Sequence, residues 1–332
     1  SWCKKMKEAV FLQEVKEIQL LKNALTLLDW DSSTGMPEKS SPFRGEVEGY
    51  LTGLYFERSI GPVIQEALAY FETRPEELSE LGKLVFEKVK EEYALNKNVP
   101  AERMQEYVKV LNQAHTDWLK ARAAQDFGLL EETLTKVVAF QKEFIPYWQK
   151  EEKTPYDVLL NQFEPGMTVE KLDQVFDQVK QGIQEIRTVL AEKGTPPRTD
   201  FLSRKMTKEQ QRRFVIGVVE QLGYDFSKGR LDDTVHPFMT ALNRNDARIT
   251  TRWEENNFSM ATFGVIHEAG HGMYEQNFDP KFDFTPLSEG ASMGIHESQS
   301  LFNEIIIGSN RAFWQKQYPF FQECAEGTFD DI

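Results

Sequence analysis

Two of the chain's five histidines, His267 and His271, stand four positions apart, and Glu268 follows the first directly. Residues at i and i+4 lie on one face of an α-helix about one turn apart, so both imidazoles can direct a nitrogen at a single ion. Such a pair suits zinc, which takes histidine nitrogens and carboxylate oxygens in a tetrahedral set. Glu268 sits beside the same face. A carboxylate there is placed to receive a proton from a metal-activated water, the general-base role in a zinc peptidase. The same HExxH pattern also arises on helices whose histidines and glutamate merely face solvent, so the rest of the chain must supply the remainder of a centre.

A catalytic zinc site takes a third protein ligand and leaves one position open. Glu275 continues the i, i+4 series, but at 1.5 Å per residue it lies about 12 Å along the axis from His267, too far to share an ion bonded at about 2 Å. A longer pattern with a third histidine fails, because position 277 is Asn277. A glutamate on a second helix remains. Asn277, Asp279 and Pro280 end the first helix, and Ser288 is placed to cap another. Along it Gly290, Met293, Gly294, Glu297, Ser300, Leu301 and Glu304 share a face, and the small residues around Glu297 let two backbones approach. Glu297 is therefore favoured as the third ligand over Glu289 and Glu304. His115 falls on an apolar helical stripe and reads as a core or half-buried residue rather than a ligand.

The elements that must position these groups are mostly helical. Apolar residues at three- and four-residue spacing predict helices over residues 5–29, 43–56, 63–71 and 128–148. Thr73, Pro75 and Glu76-Glu77 signal the start of another that runs to about residue 95, and Pro100 opens the next. Thr154 starts a short one. Glu164-Pro165-Gly166-Met167-Thr168 is a breaker ending in an N-cap for a long helix to Lys193. Thr207 with Gln210 fits a capping box, on a helix that stops at Gly223. Helix breakers then crowd residues 224–258. Within them residues 247–253 carry β-forming side chains and predict a strand of a small antiparallel sheet beside the metal helix. An edge strand there would offer its main chain to an extended peptide; a purely structural hairpin fits the sequence equally. With no internal repeat and no linker, the expectation is one contiguous mainly α domain over residues 1–332: a helical array to 223, the small β region at 224–258, and metal-site helices at 259–332.

Composition narrows the function classes. A formal net charge of −14 opposes nucleic-acid binding, since phosphates would be repelled. The densest basic run, Arg204, Lys205, Lys208, Arg212 and Arg213, reads as a solvated helix face. No apolar stretch approaches the ~20 residues that span a bilayer. Cys3 and Cys324, the only two cysteines, lie near opposite ends and form neither a disulfide framework nor a metal pair, which favours a reducing, cytoplasmic setting.

Four segments carry a resemblance. In order and spacing, His236-Pro237-Phe238, Asp246-Ala247-Arg248-Ile249-Thr250, His267-Glu268-Ala269-Gly270-His271 and His296-Glu297-Ser298-Gln299 resemble the HPF, DxRxT, HExxH and HES(Q/G) signatures of the carboxypeptidase Taq family. Trp30-Asp31 with Met36-Pro37, and Pro155-Tyr156-Asp157 with the breaker at 164–168, also look like that family. The resemblance covers essentially the whole chain. It implies a neurolysin-like helical fold with a groove, a catalytic zinc or cobalt held by His267, His271 and Glu297, Glu268 as general base, and a homodimer. It implies a carboxypeptidase that releases single C-terminal residues from peptides. His236, Arg248, Asp246 and Thr250 become candidate substrate contacts, with fold-holding roles as the alternative, and His296 a candidate support for the ligand shell. The family's downstream IRxxAD and GxxQ motifs do not occur in these 332 residues, so the expectation is a C-terminally truncated portion of the enzyme. Two other readings stay open: a metal-binding helical fragment without activity, and an oligopeptidase or aminopeptidase built on the same centre.

Overall fold

Helical spacing dominates the sequence, and the computed structural model, which describes residues 6–332, realises it. The first helices are α1 (Glu8–Thr34), α2 (Ser41–Ser59), α3 (Pro62–Glu72) and α4 (Glu80–Asn96). They are followed by α5 (Ala101–Ala124), α6 (Gly128–Trp148), α7 (Pro155–Phe163), α8 (Val169–Lys193) and α9 (Lys208–Leu222). Three strands come next, β1 (Leu231–Asp233), β2 (Met239–Asn243) and β3 (Asp246–Thr251). The chain closes with α10 (Phe258–Gln276), α11 (Met293–Leu301), a π-helical turn at Phe302–Ile307, and α12 (Arg311–Cys324). The mainly α expectation with one small sheet therefore holds. The expected helix start at Lys5, and Cys3, lie outside the described residues.

Several boundaries follow the signals in the sequence. The Thr207 hydroxyl accepts the Gln210 N–H while the Gln210 side chain accepts that of Thr207, a complete capping box, and Gly223 closes α9 at φ +113°. Thr154 and Thr168 cap α7 and α8 through their hydroxyls. Other boundaries differ. α1 continues past Asp29 to Thr34, because the Ser32 and Thr34 hydroxyls turn back onto the Leu28 and Trp30 carbonyls instead of breaking the helix. The Pro75–Glu77 segment forms only a 3-10 turn, and α4 starts later, where the Ser79 hydroxyl accepts the Gly82 N–H.

The described residues group into two compact units. One comprises the chain to Phe86 together with Val189–Ile332; the other is Glu87–Thr188. In the second unit, α5 and α6 pack around Val99, Phe140 and Phe144, with Tyr107 against both rings. Arg103 holds Glu143 in a two-pronged pair at 2.7 and 2.6 Å. His115 is exposed rather than half-buried, because its stripe lies on a helix face that stays open to solvent; its ring stacks on Trp118. The apolar stripe of α8, Phe176, Ile183, Ile186 and Leu190 among it, is likewise exposed.

In the first unit, α10 packs against α9, α11, β2 and β3. Phe258, Val265, Ile266 and Ala269 of α10 join Phe214, Val215, Val218 and Val219 of α9, Leu231 and Ile249 of the sheet, and Phe321 of α12 in one buried core. The sheet is mixed, not antiparallel. Its order is β1-β3-β2, with β2 antiparallel to β3 (Met239 opposite Ile249) and β1 parallel to it (Leu231 opposite Ile249). Residues 234–238 carry the chain across from β1 to β2, and β3, paired with both, is the central strand. Its main chain is paired on both sides, so β3 is not the edge that a peptide could join.

Candidate metal centre

α10 is buried on nearly every side because its apolar and small residues meet β3, α9 and α11 at once, leaving only a narrow face for polar groups. That face carries His267 and His271, whose rings lie 5.0 Å apart at 77°. Gly270 lies between them in sequence and governs the approach of the next helix. A Cβ built there would stand 2.7 Å from the Gln299 carbonyl oxygen and 2.7 Å from Ser300 Cα. Only glycine lets α11 come so close.

α11 begins at Ser292, whose hydroxyl accepts the Ile295 N–H. Ser288 is not the cap; its hydroxyl donates to the Thr285 carbonyl inside the preceding turns, and Gly290 consequently precedes the helix. From α11 the Glu297 carboxylate reaches both histidines, one oxygen 3.1 Å from His267 Nε2 and the other 3.4 Å from His271 Nε2. One donor atom from each of the three residues falls within 4.8 Å of the others. Around a tetrahedral ion with bonds near 2.1 Å, neighbouring donors stand roughly 3.4 Å apart; the two Glu297 contacts are close to that spacing, and the set as a whole must draw in from within 4.8 Å to close on one metal. Two neutral nitrogens and a carboxylate oxygen suit a borderline divalent ion. Glu297 is exposed, which leaves the side of the cluster away from α10 open to solvent.

The surroundings set the protonation of the donors. Burial, then the neighbouring His296, push the His271 pKa down to about 4, so the imidazole is neutral and offers a lone pair. Burial raises Glu268 to about 7; His267 opposes the rise and the carboxylates of Glu297 and Glu304 add to it. A dication among the three donors would offset both burial and carboxylate repulsion and favour the ionised form that accepts a proton.

The two histidines are held from behind. His267 Nδ1 lies 2.6 Å from Glu304 Oε2. His271 Nδ1 lies 2.6 Å from His296 Nδ1, and His296 Nε2 lies 2.8 Å from Glu275 Oε1. Sequence reasoning placed His296 here but set Glu275 and Glu304 aside, having weighed them only as ligands. Their spacing, one turn past His271 and two turns past Glu297, was the available signal.

The other residues singled out by the motifs make contacts of their own. Arg248 grips Asp246 through two hydrogen bonds, 2.8 and 3.1 Å, and lies 4.5 Å over the Trp30 ring. Thr250, fully buried, accepts the Phe238 N–H at 2.9 Å and donates to the Phe238 carbonyl at 3.1 Å. These contacts fix β3 against the crossover segment and α1. His236 lies on that crossover and is exposed. Cys324 is a buried free thiol, raised above its ordinary pKa by burial. No described helix is long and apolar enough to cross a membrane.

A buried helix bearing HExxH, met by a glutamate from an adjoining helix in an otherwise helical protein, has the architecture of an HExxH metallopeptidase. Comparison with known proteins narrows that class. Residues 10–332 match the carboxypeptidase Taq (M32) metallopeptidase family, and the chain belongs to it. It is 43% identical over 325 residues to carboxypeptidase 1 of Bacillus subtilis, covering 98% of this chain and 65% of that protein. It is 32% identical over 323 residues to thermostable carboxypeptidase 1 of Thermus thermophilus, covering 94% of this chain and 63% of the relative. The crystal structure of an M32 carboxypeptidase from Deinococcus radiodurans R1 superposes with a TM-score of 0.88 at 32% identity, covering 97% of this chain and 64% of that one. The chain thus spans slightly under two thirds of the length of these relatives.

Proposed function

We propose that the protein is a metallocarboxypeptidase that holds one divalent ion, zinc, between His267, His271 and Glu297 and releases single C-terminal residues from peptides. The observation that carries this reading is the convergence of those three donors within 4.8 Å, with the buried Glu268 beside them. Membership of a family whose relatives are named carboxypeptidases supports the reaction class. The ion, when bound, supplies a Lewis acid that polarises the scissile carbonyl and makes water a better nucleophile.

The chain's own residues do the remaining work. Glu268 accepts a proton from the attacking water as its oxygen bonds to the carbonyl carbon. It then returns the proton to the amine nitrogen as the C–N bond breaks. Its buried position keeps the carboxylate from being solvated, which strengthens it as a base. His236, exposed on the crossover, is the substrate contact we favour; Arg248, Asp246 and Thr250 act by holding the strand that supports α10. A homodimer and a cytoplasmic location, from the family resemblance and the cysteine usage, complete the proposal.

The test is release of free amino acid from an N-blocked peptide. A carboxypeptidase liberates one C-terminal residue at a time, loses activity on the C-amidated peptide, and is stopped by chelation and restored by zinc. Internal cleavage of the amidated peptide would indicate an oligopeptidase, and a requirement for a free N-terminus an aminopeptidase.

A further inference from the structure

We infer that Glu304 and the pair Glu275–His296 are positioning residues that fix the tautomer and ring orientation of His267 and His271, and that metal affinity depends on them. This rests on the proposed ion site.

The proton arrangement is set by the contacts. For His267 to present a lone pair at Nε2, the nitrogen 3.1 Å from Glu297, its proton must sit on Nδ1, where Glu304 Oε2 waits at 2.6 Å. His271 likewise presents Nε2 towards Glu297 and must carry its proton on Nδ1. That N–H can only donate to His296 Nδ1, 2.6 Å away, which must therefore be bare. A neutral His296 then has its proton on Nε2, where Glu275 Oε1 accepts it at 2.8 Å. With an ion taking the two Nε2 lone pairs, this one assignment satisfies every nitrogen. If Glu275 did not claim the Nε2 proton, His296 could carry it on Nδ1 instead. Two N–H groups would then face each other, and His271 would be driven to the tautomer that cannot ligate.

The surroundings show that these side chains are held in place. Glu275 is buried, one turn past His271 on α10. The His296 ring sits edge-to-face with Tyr274 at 4.9 Å, and a Cβ on Gly290 would stand 2.7 Å from its Cδ2. Glu304 projects from the π-helical turn, a local widening that changes the angle at which residues after Leu301 leave the helix. The two histidines differ in their support. His267 has a carboxylate directly, whereas His271 reaches one through a second imidazole.

Zinc dissociation constants measured by chelator competition test the inference on the purified chain. Glu304→Ala and His296→Ala are each expected to weaken zinc binding by about 10–100-fold, the usual effect of losing such a partner. Glu289→Ala, which removes a carboxylate paired with Lys22 and not with either histidine, should leave it within about twofold. Should the alanine variants fail to fold, long-range 1H–15N spectra of the zinc-loaded wild type decide, with protons expected on His271 Nδ1 and His296 Nε2. Wild-type protein that binds no zinc would overturn the ion site itself. Wild type that binds zinc while folded Glu304→Ala and His296→Ala bind it equally well, or spectra placing the proton on His296 Nδ1, would overturn the positioning role alone.

Discussion

Gly270→Ala is the sharpest perturbation the fold offers, because two effects of opposite sign meet at one atom. Alanine is the better helix former by about 1 kcal/mol, so by propensity alone the substitution should stabilise α10. Its Cβ, however, would stand 2.7 Å from the Gln299 carbonyl oxygen and from Ser300 Cα, and both are backbone atoms that no side-chain rotation can move. Reaching even the edge of ordinary contact at 3.4 Å requires α11 to recede by about 0.7 Å. Overpacking of this kind costs about 1–3 kcal/mol, enough to cancel the propensity gain and in most of that range to exceed it. The same recession draws Glu297 away from His267 and His271, and a shift of about 0.7 Å is several times the ~0.2 Å tolerance of a metal bond. The expectation is a metal-free Tm at or below that of wild type, with zinc affinity lowered about tenfold or more. Thermal unfolding of the metal-free protein and chelator competition measure the two. A raised Tm with unchanged zinc affinity would show that α11 does not set the third ligand through its contact with Gly270.

Three further outcomes follow from individual contacts. Glu268→Gln should retain zinc while peptide hydrolysis falls about 10²–10⁴-fold; near-normal turnover with zinc bound would remove Glu268 from the reaction. Tyr224→Phe deletes the buried hydroxyl that donates to the Ala247 carbonyl at 2.6 Å, and chemical denaturation should show a loss of about 1–3 kcal/mol, whereas no change would mean that water or a neighbour replaces it. Asp331 is held down to about 2 by its hydrogen bonds to Arg204, below the ~3.9 of a free aspartate, so its contribution is present above about pH 4 and is lost as pH falls towards 2. The Tm gap between wild type and Asp331→Asn, small because the pair is exposed, should therefore close over that interval, and a gap independent of pH would refute the link.

Much of the candidate centre could be read from spacing alone, because a helix converts sequence interval into direction. His267, Glu268 and His271 needed only the 3.6-residue turn, and Glu297 only the requirement that a third donor come from a facing helix. Glu275 and Glu304 escaped for a physical reason. The axial distance that disqualifies Glu275 as a ligand says nothing about acceptors for the far side of an imidazole, and the π-helical turn that carries Glu304 leaves no mark in the residue types. The sheet shows another limit. Ile249, Thr250 and Thr251 identify β3 by their side chains, but Leu231-Asp232-Asp233 has neither alternation nor length, and only pairing with β3 makes it a strand. Its parallel pairing placed β3 in the middle, and so removed the edge that the sequence offered to a peptide. The cap of α11 shows a further limit: the expected Ser288 is taken up by the Thr285 carbonyl in the preceding turns, and Ser292, four residues on, caps the helix instead.

Metal content tests the central claim most directly. Protein purified without chelator, supplied with zinc and freed of excess, should carry one zinc per chain by elemental analysis. Glu297→Ala and His271→Ala, folded by circular dichroism, should each carry little or none under the same treatment. Wild-type protein that retains no divalent ion, or variants that retain a full equivalent, would contradict the assignment of His267, His271 and Glu297 as one metal centre.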